Sequence, residues 1–205
     1  MTLKVSPVHC AAIVGIAVYM LAIVQQWTML KYLLKPTVTL LIAYPTKGGS
    51  SSGIFWGLLF STLGDICLML PYDMFVPGLL SFLVAHILYT VSFRNAPLGL
   101  SWTAIPFGAY VAVMMNALYP GIVKEEAVVQ VGVVIYMLVI SVMAYRASLS
   151  GSVLLVIGTL LFCLSDSILA WDKFLHSYEW CEFGIMLTYY AAQLCIAIVH
   201  TTDNT

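Results

Sequence analysis

The chain has 205 residues, of which 62% are hydrophobic and only 8% are charged. A soluble domain carries about 25% charged residues, so this sequence has too few charges to cover a water-facing surface. With 8 Lys+Arg, 9 Asp+Glu and a net charge of −1, it has no basic excess with which to bind nucleic acid. The composition excludes a soluble catalytic domain and indicates a protein that works inside a membrane.

Apolar runs recur along the chain, and each is close to the roughly 20 residues that a helix needs to cross a bilayer. Turn residues and charges separate the runs. They predict eight transmembrane helices over residues 7–25, 28–44, 53–70, 74–93, 100–118, 127–145, 152–170 and 181–200. The first run lacks a cleavage site and is taken as a retained helix. We therefore expect an all-α polytopic membrane protein with one integral membrane domain over residues 1–205, since helices satisfy their own backbone groups in lipid.

The second predicted span is the shortest and the most interrupted, because it contains Lys31, Lys35 and Pro36. An even number of spans places both termini on one side of the membrane. The loops on that side carry Lys4, Lys47, Arg94 and Arg146, whereas the opposite loops carry Lys124 and Lys173. The positive-inside rule therefore favours cytoplasmic termini.

An internal repeat relates span three to span seven at an offset of 101 residues. Residues 57–65 (GLLFSTLGD) align with residues 158–166 (GTLLFCLSD), which pairs Asp65 with Asp166. The same offset pairs Tyr89 with Tyr190 in the following spans. The repeat indicates either a parallel four-helix duplication, with units 1–95 and 100–200, or chance similarity between Leu-rich helices.

Asp65 and Asp166 are the residues that point to a functional site, because a carboxylate in the hydrocarbon region costs several kcal/mol. Each follows a small residue, Gly64 or Ser165, which permits close helix approach. Spans four apart run in the same direction, so the two carboxyls are expected at similar depth. Two facing carboxyls do not both ionise readily, which leaves one acid and one base for hydrolysis. The alternative is that each aspartate only hydrogen-bonds a neighbouring helix.

Four further polar residues lie in or near the spans. His86 and Tyr89 are one turn apart in span four, and Gln193 lies in the middle of span eight. Lys35 precedes Pro36 and is a candidate ligand for a phosphate, whereas Lys31 is expected to reach back to the interface. Each is also typical of interhelical hydrogen bonding, which is the alternative to a role in substrate binding.

A zinc site would need three or four converging ligands. Only His86 lies deep in a span, since His9 and His200 are near span ends and His176 is in a loop. We therefore expect no metal and no other cofactor.

The polar motifs resemble those of the lysoplasmalogenase family, the YhhN-like membrane proteins, in order and over nearly the whole chain. The matching stretches are Lys35-Pro36, Gly57…Ser61…Gly64-Asp65, Phe82…His86…Tyr89, Phe162…Ser165-Asp166…Phe174 and Tyr189…Gln193-Leu194. The resemblance implies eight helices, residence in the endoplasmic reticulum membrane, and hydrolysis of the vinyl ether of lysoplasmalogens. The products would be a fatty aldehyde and glycerophosphocholine or glycerophosphoethanolamine, with Asp65 and Asp166 as the catalytic pair.

The expected chemistry fits two carboxyls of unequal protonation. A vinyl ether is hydrolysed by protonation of its β-carbon, which leaves an oxocarbenium ion. The neutral aspartic acid would supply this proton, and the ionised aspartate would stabilise the cation and activate water. The substrate would be a lysophospholipid drawn from the surrounding membrane lipids. The candidate substrate-binding residues are Lys35, Ser61, His86, Tyr89, Ser165, Tyr190 and Gln193.

Two other classes also use paired intramembrane carboxylates. An intramembrane aspartyl protease would need Gly-x-Gly-Asp, where this chain has Thr62-Leu63-Gly64-Asp65, and it would need Tyr-Asp, which is absent at Asp166. A proton-coupled carrier for a small molecule or lipid is the stronger alternative, because a four-helix repeat with carboxylates also suits alternating access.

Overall fold

The computed structural model describes residues 6–47, 52–93 and 99–202, so Lys4 and Arg94 of the topology argument lie outside the described residues. These ranges contain helices and no β-strand. Two short 3-10 turns, Tyr44–Thr46 and Trp102–Ala104, accompany the helices. The α-helices are α1 (Pro7–Val24), α2 (Thr28–Ala43), α3 (Ser52–Met69), α4 (Phe75–Ser92), α5 (Ile105–Ile122), α6 (Ala127–Ser148), α7 (Val153–Phe174) and α8 (Cys181–Thr202).

Among the described residues, seven helices are long and apolar enough to cross a membrane, and α2 is not one of them. It has 16 residues and carries Lys31, Lys35 and Pro36. The structure therefore confirms an all-helical, multi-pass membrane protein, with seven candidate spans rather than the eight that were expected.

The predicted ends of spans five and seven were wrong by about one turn, because both helices continue further. α5 runs through Pro120 to Ile122, and α7 runs to Phe174. Leu118, Ile122 and Phe174 pack together in one apolar cluster. Gly121 has no side chain, and the carbonyl of Phe174 occupies the space that a Cβ would need. Contact between α5 and α7, which neither local sequence reveals, thus extends both helices.

The helices that carry the aspartates are each packed tightly against the next helix. The pairs α3 with α4 and α7 with α8 make the most extensive contacts in the bundle. Gly57 and Gly64 of α3 lie directly against the rings of Tyr89 and Phe82 of α4. Gly158 of α7 lies against a Cβ atom and a backbone carbonyl of α8. Small residues thus bring the backbones close and hold the aspartates at fixed positions in the bundle.

Candidate active site

Both predicted aspartates line a single cavity of about 330 Å³. Its walls come from the last turns of α1, the first half of α2, the end of α3, the second half of α7 and the first half of α8, with one residue from α4. The lining residues are Tyr19, Thr28, Lys31, Tyr32, Lys35, Asp65, Leu68, Met69, Phe82, Ser165, Asp166, Leu169, Asp172, Glu182, Ile185, Met186 and Tyr189. A volume of this size is within the range of small-molecule sites. Of the predicted site residues, the cavity brings together Asp65, Asp166, Lys35 and Ser165.

Asp65 is only 2% exposed and is surrounded by donors. Its Oδ2 accepts a hydrogen bond from the Tyr189 hydroxyl at 2.7 Å and one from the Thr39 hydroxyl at 3.1 Å. The Lys35 ammonium lies 3.6 Å from Oδ1. An ionised carboxylate only accepts hydrogen bonds, so this arrangement matches Asp65 in its charged form. Removing the lysine would leave a buried charge without a partner.

Asp166 is held through one oxygen by a pair of aromatic side chains. Its Oδ2 accepts a hydrogen bond from the Tyr136 hydroxyl at 2.5 Å, and His86 Nε2 lies 3.4 Å from the same atom. His86 Nε2 also lies 2.8 Å from the Tyr136 hydroxyl, so the three groups form a closed triangle. Among the described residues, hydrogen bonds reach Asp166 only at Oδ2. The other oxygen is therefore available to carry a proton.

A second, apolar cavity of about 40 Å³ meets the first one at Asp166. The two cavities share Leu68, Phe82, Asp166 and Leu169. The remaining walls are mostly apolar side chains, namely Phe75, Leu79, Tyr110, Met114, Val133, Tyr136, Met137, Ile140, Ser167, Ala170 and Phe174. Asp166 thus lies at the junction of a charged compartment and an apolar one.

Three predicted substrate-binding residues lie elsewhere, in a separate buried network. The Tyr89 hydroxyl donates to Gln193 Oε1 at 2.9 Å and is 3.1 Å from the Ser61 hydroxyl. All three residues are fully buried, and none of them lines either cavity described above. This placement matches interhelical hydrogen bonding, and a role in substrate binding remains a prediction for them.

The other predicted residues have contacts that support the site indirectly. The Tyr190 hydroxyl donates to the Lys35 carbonyl at 3.3 Å, which anchors α2 to α8 beside the cavity. The Ser165 hydroxyl donates to the Ile185 carbonyl at 3.0 Å, although Ser165 also lines the cavity. His86 reaches Asp166 but does not itself line either cavity. Within the described ranges, no three His, Cys, Asp or Glu side chains converge as metal ligands would.

A sequence model of the YhhN family matches residues 26–199. The chain belongs to the YhhN family. The matched range contains every residue of the larger cavity except Tyr19.

Named relatives of this YhhN-family chain are animal proteins. It is 36% identical to lysoplasmalogenase TMEM86B of Homo sapiens over 155 residues, which is 74% of this chain and 65% of the relative. It is 36% identical to lysoplasmalogenase TMEM86A of Bos taurus over 178 residues, which is 82% of this chain and 71% of the relative. The match thus spans a little under two thirds of the human TMEM86B relative. No solved structure matches the chain significantly.

Sequence reasoning missed three residues that contact the aspartates in this YhhN-family protein. Thr39 and Tyr189 had a usable signal, since Thr39 is one turn after Lys35 and Tyr189 belongs to a motif already noted. Tyr136 had none, because α6 shows neither a repeat nor a family motif. Its role depends on α6 packing against α4 and α7.

Proposed function

We propose that this YhhN-family protein is a lysoplasmalogenase, which hydrolyses the vinyl ether of a lysoplasmalogen to a fatty aldehyde and glycerophosphocholine or glycerophosphoethanolamine. The observation that carries the proposal is that Asp65 and Asp166 line one cavity with Lys35, and that an apolar cavity adjoins it at Asp166. The names of the animal relatives support the same activity.

The two compartments match the two halves of the substrate. The charged cavity accommodates the glycerophospho headgroup, where Lys31 and Lys35 supply cations for the phosphate. The apolar cavity accommodates the first carbons of the alkenyl chain. The vinyl ether joins these halves, so its place is at the junction beside Asp166.

Catalysis begins with Asp166 as the acid. Its carboxylic proton passes to the β-carbon of the vinyl ether, and the double-bond electrons form the new C–H bond. The α-carbon and ether oxygen then share the positive charge of an oxocarbenium ion. Asp65, kept ionised by Lys35, stabilises this cation electrostatically.

Water completes the reaction and restores both carboxyls. A water molecule attacks the α-carbon and gives its proton to Asp65, which produces a hemiacetal. Asp166, now a carboxylate, removes the hydroxyl proton of the hemiacetal, and Asp65 returns its proton to the departing glycerol oxygen. The C–O bond breaks, aldehyde and glycerophospho alcohol are released, and one water has been consumed.

Tyr136 and His86 act on Asp166 as positioning residues. Their contacts with Oδ2 fix the carboxyl so that the other oxygen is the one that carries the proton. Such orientation matters because small displacements of a catalytic group cost large factors in rate.

The finer features of the architecture belong to the same proposal. We place α2 as an eighth crossing, since it lies between two candidate spans and contributes Lys35 to an intramembrane cavity. The repeat supports a duplication, because its two copies fall on the tightly packed pairs α3 with α4 and α7 with α8. Residence in the endoplasmic reticulum membrane follows from the family resemblance, and localisation of the tagged full-length chain tests it.

The deciding experiment measures aldehyde release by the purified, detergent-solubilised chain from 1-alkenyl-glycerophosphocholine and 1-alkenyl-glycerophosphoethanolamine. We expect aldehyde and glycerophospho alcohol in equal amounts, without added metal or nucleotide. A matched 1-alkyl lysolipid, which lacks the double bond, should give no product. Uptake of intact lysolipid into proteoliposomes without aldehyde formation would instead favour a carrier.

A further inference from the structure

The larger cavity lies entirely in one half of the bundle. Its walls are the end of α1, the beginning of α2, the end of α3, the second half of α7 and the first half of α8, with one residue from the first half of α4. These helix ends are the ones joined by the connections α1–α2, α3–α4 and α7–α8. We call the face of the bundle that holds these three connections the mouth face.

The beginning of α1 and the end of α8 lie at the opposite face. α1 ends at Val24 and α2 begins at Thr28, so the two helices meet at the mouth face and extend away from it together. The 3-10 turn Tyr44–Thr46, at the far end of α2, contacts both α1 and α8. Both α1 and α8 are candidate spans, which places their outer ends across the membrane from the mouth face.

The larger cavity reaches the surface of the protein at the mouth face. Thr28 and Tyr32 line it and are exposed, and the side chain of Glu182 is 43% exposed. Further inside, the lining residues Lys35 and Asp65 are largely buried. The cavity therefore has an open outer end at the mouth face and a buried inner end at the aspartates.

Exposed aromatic side chains mark the mouth face as a membrane–water interface. They lie at its helix ends and in its connections, and they are Trp27, Tyr72, Trp171, Tyr178 and Trp180. Trp and Tyr are enriched in proteins at the level of the lipid headgroups. Tyr44 and Trp102 are exposed in the same way at the opposite face. The two sets mark the two interfaces, so the cavity opens among the headgroups of one leaflet.

The order of groups along the cavity matches the order of groups in a lysolipid of that leaflet. Measured along their helices from the mouth face, Lys31 is about 5 Å deep, Lys35 about 10 Å and Asp166 about 12 Å. A lysolipid in the adjoining leaflet has its phosphate at the interface and its vinyl ether a few Å deeper. It can enter without turning over, whereas a lysolipid of the other leaflet has the reverse orientation and its charged headgroup would have to cross the hydrocarbon region.

We propose that the site takes its lysolipid from the leaflet at the mouth face, and exchanges water and the glycerophospho alcohol with the aqueous compartment on that side. This compartment is opposite the beginning of α1 and the end of α8. The inference rests on the proposed function for the identity of the substrate, and it adds the leaflet and the side of product release. A reaction that consumes the glycerophospho alcohol directly must then work in the same compartment.

The first test labels cysteines in the full-length chain, carrying an N-terminal tag, in sealed phosphatidylcholine vesicles. The reagent is a charged methanethiosulfonate that does not cross the membrane, and the background is Cys10→Ala because Cys10 is an exposed native thiol on α1. We expect Thr28→Cys to react only from the side opposite the tag. The saturated ether 1-alkyl-glycerophosphoethanolamine should slow this reaction about fivefold or more, since a bound ligand is largely enclosed by its site.

The matched control is Leu100→Cys, since Leu100 is exposed in the connection between α4 and α5 at the opposite face and lines neither cavity. It should react from the tag side, and the ether should not protect it. Reaction of Thr28→Cys from the tag side overturns the inference, and so does a lack of protection by the ether.

The second test needs no variant and uses hydrolysis by the parent chain. Vesicles with one chain each are separated by capture of the tag, and 1-alkenyl-glycerophosphoethanolamine is added to their outer leaflet. Vesicles with the tag inside should release aldehyde at least about tenfold faster than captured vesicles, because the charged headgroup crosses the membrane slowly. Glycerophosphoethanolamine should appear in the outer medium, and detergent should make the two rates equal. Faster hydrolysis by captured vesicles, or equal rates before detergent, overturns the inference.

The two tests separate this inference from the proposed function. Labelling and protection by a saturated ether do not depend on hydrolysis, so a chain that shows both but releases no aldehyde would refute the lysoplasmalogenase proposal and keep the leaflet assignment. A chain that hydrolyses outer-leaflet substrate only when the tag is outside would keep the enzyme and overturn the leaflet assignment.

Discussion

The ammonium of Lys35 on α2 lies 3.6 Å from Oδ1 of Asp65 on α3. The lysine is largely buried, with a side chain 14% exposed, and it also lines the cavity that holds Asp166. It is therefore in a position to influence both a carboxylate and a bound phosphate. The sequence suggested only that Lys35 binds a phosphate, and the ion pair adds its effect on the Asp65 carboxylate.

Replacing either aspartate should abolish hydrolysis without unfolding the protein. Asp65→Asn and Asp166→Asn keep the side-chain volume but remove a proton donor or acceptor, so we expect kcat to fall by about 100-fold or more. The measurement is aldehyde release together with thermal unfolding in detergent. A folded Asn variant with the parent rate would rule out the proposed role of that aspartate.

The two cavity lysines should give different kinetic signatures. Lys35→Met removes a phosphate ligand and the partner of Asp65, so KM should rise and kcat should fall. Lys31 pairs with Glu182 rather than with a catalytic aspartate. Lys31→Met should therefore raise KM by about tenfold and leave kcat nearly unchanged. Steady-state kinetics with one lysolipid checks both. A Lys35 variant altered in KM alone would show that the ion pair does not serve catalysis.

Tyr136→Phe should lower kcat more than it alters KM. The substitution keeps the ring and removes the hydrogen bond to Asp166, so the acid loses its orientation and kcat should fall by about 10- to 100-fold. Tyr145→Phe is the control on the same helix, since its hydroxyl donates to the Gly99 carbonyl at 2.8 Å and Tyr145 lines neither of the two cavities. Equal rates in the two variants would contradict a positioning role for Tyr136.

Tyr89→Phe separates a structural network from a substrate-binding one. Removing the hydroxyl leaves Gln193 Oε1 and the Ser61 hydroxyl without this buried partner, so stability should fall by about 1–3 kcal/mol. Because the network lies outside both cavities, KM should change little. The free energy of unfolding in detergent checks the loss of stability, and steady-state kinetics with a lysolipid checks KM. A large rise in KM with unchanged stability would restore Tyr89 to the substrate site.

Gly57→Val should destabilise the contact between α3 and α4. A Cβ at Gly57 would overlap the ring of Tyr89, and repacking of this kind costs about 1–3 kcal/mol. Gly108→Val is the control, since nothing lies within 4 Å of a Cβ built there. The comparison is of thermal unfolding midpoints in the same detergent. Similar midpoints would mean that α3 and α4 do not need their close approach at Gly57.

The sequence alone determined the membrane environment, the helical class and the two aspartates. These features are accessible because hydropathy and the cost of a charge in lipid are properties of each segment by itself. The same reasoning identified Lys35, which the structure places in the cavity with both aspartates. Where packing between helices intervened, as at the ends of α5 and α7, the predicted bounds were wrong.

Only the tertiary structure decided which polar groups meet. His86 and Tyr89 are neighbours on α4, yet one contacts Asp166 and the other contacts Gln193. Residues three positions apart share a helix face but are about 4.5 Å apart along the axis and about 60° apart around it, so the rotation and tilt of each helix select their partners. Tyr136 reaches Asp166 for this reason, although nothing in its local sequence indicates it. Segment chemistry thus identified the two carboxyls, whereas helix packing assembled the groups around them.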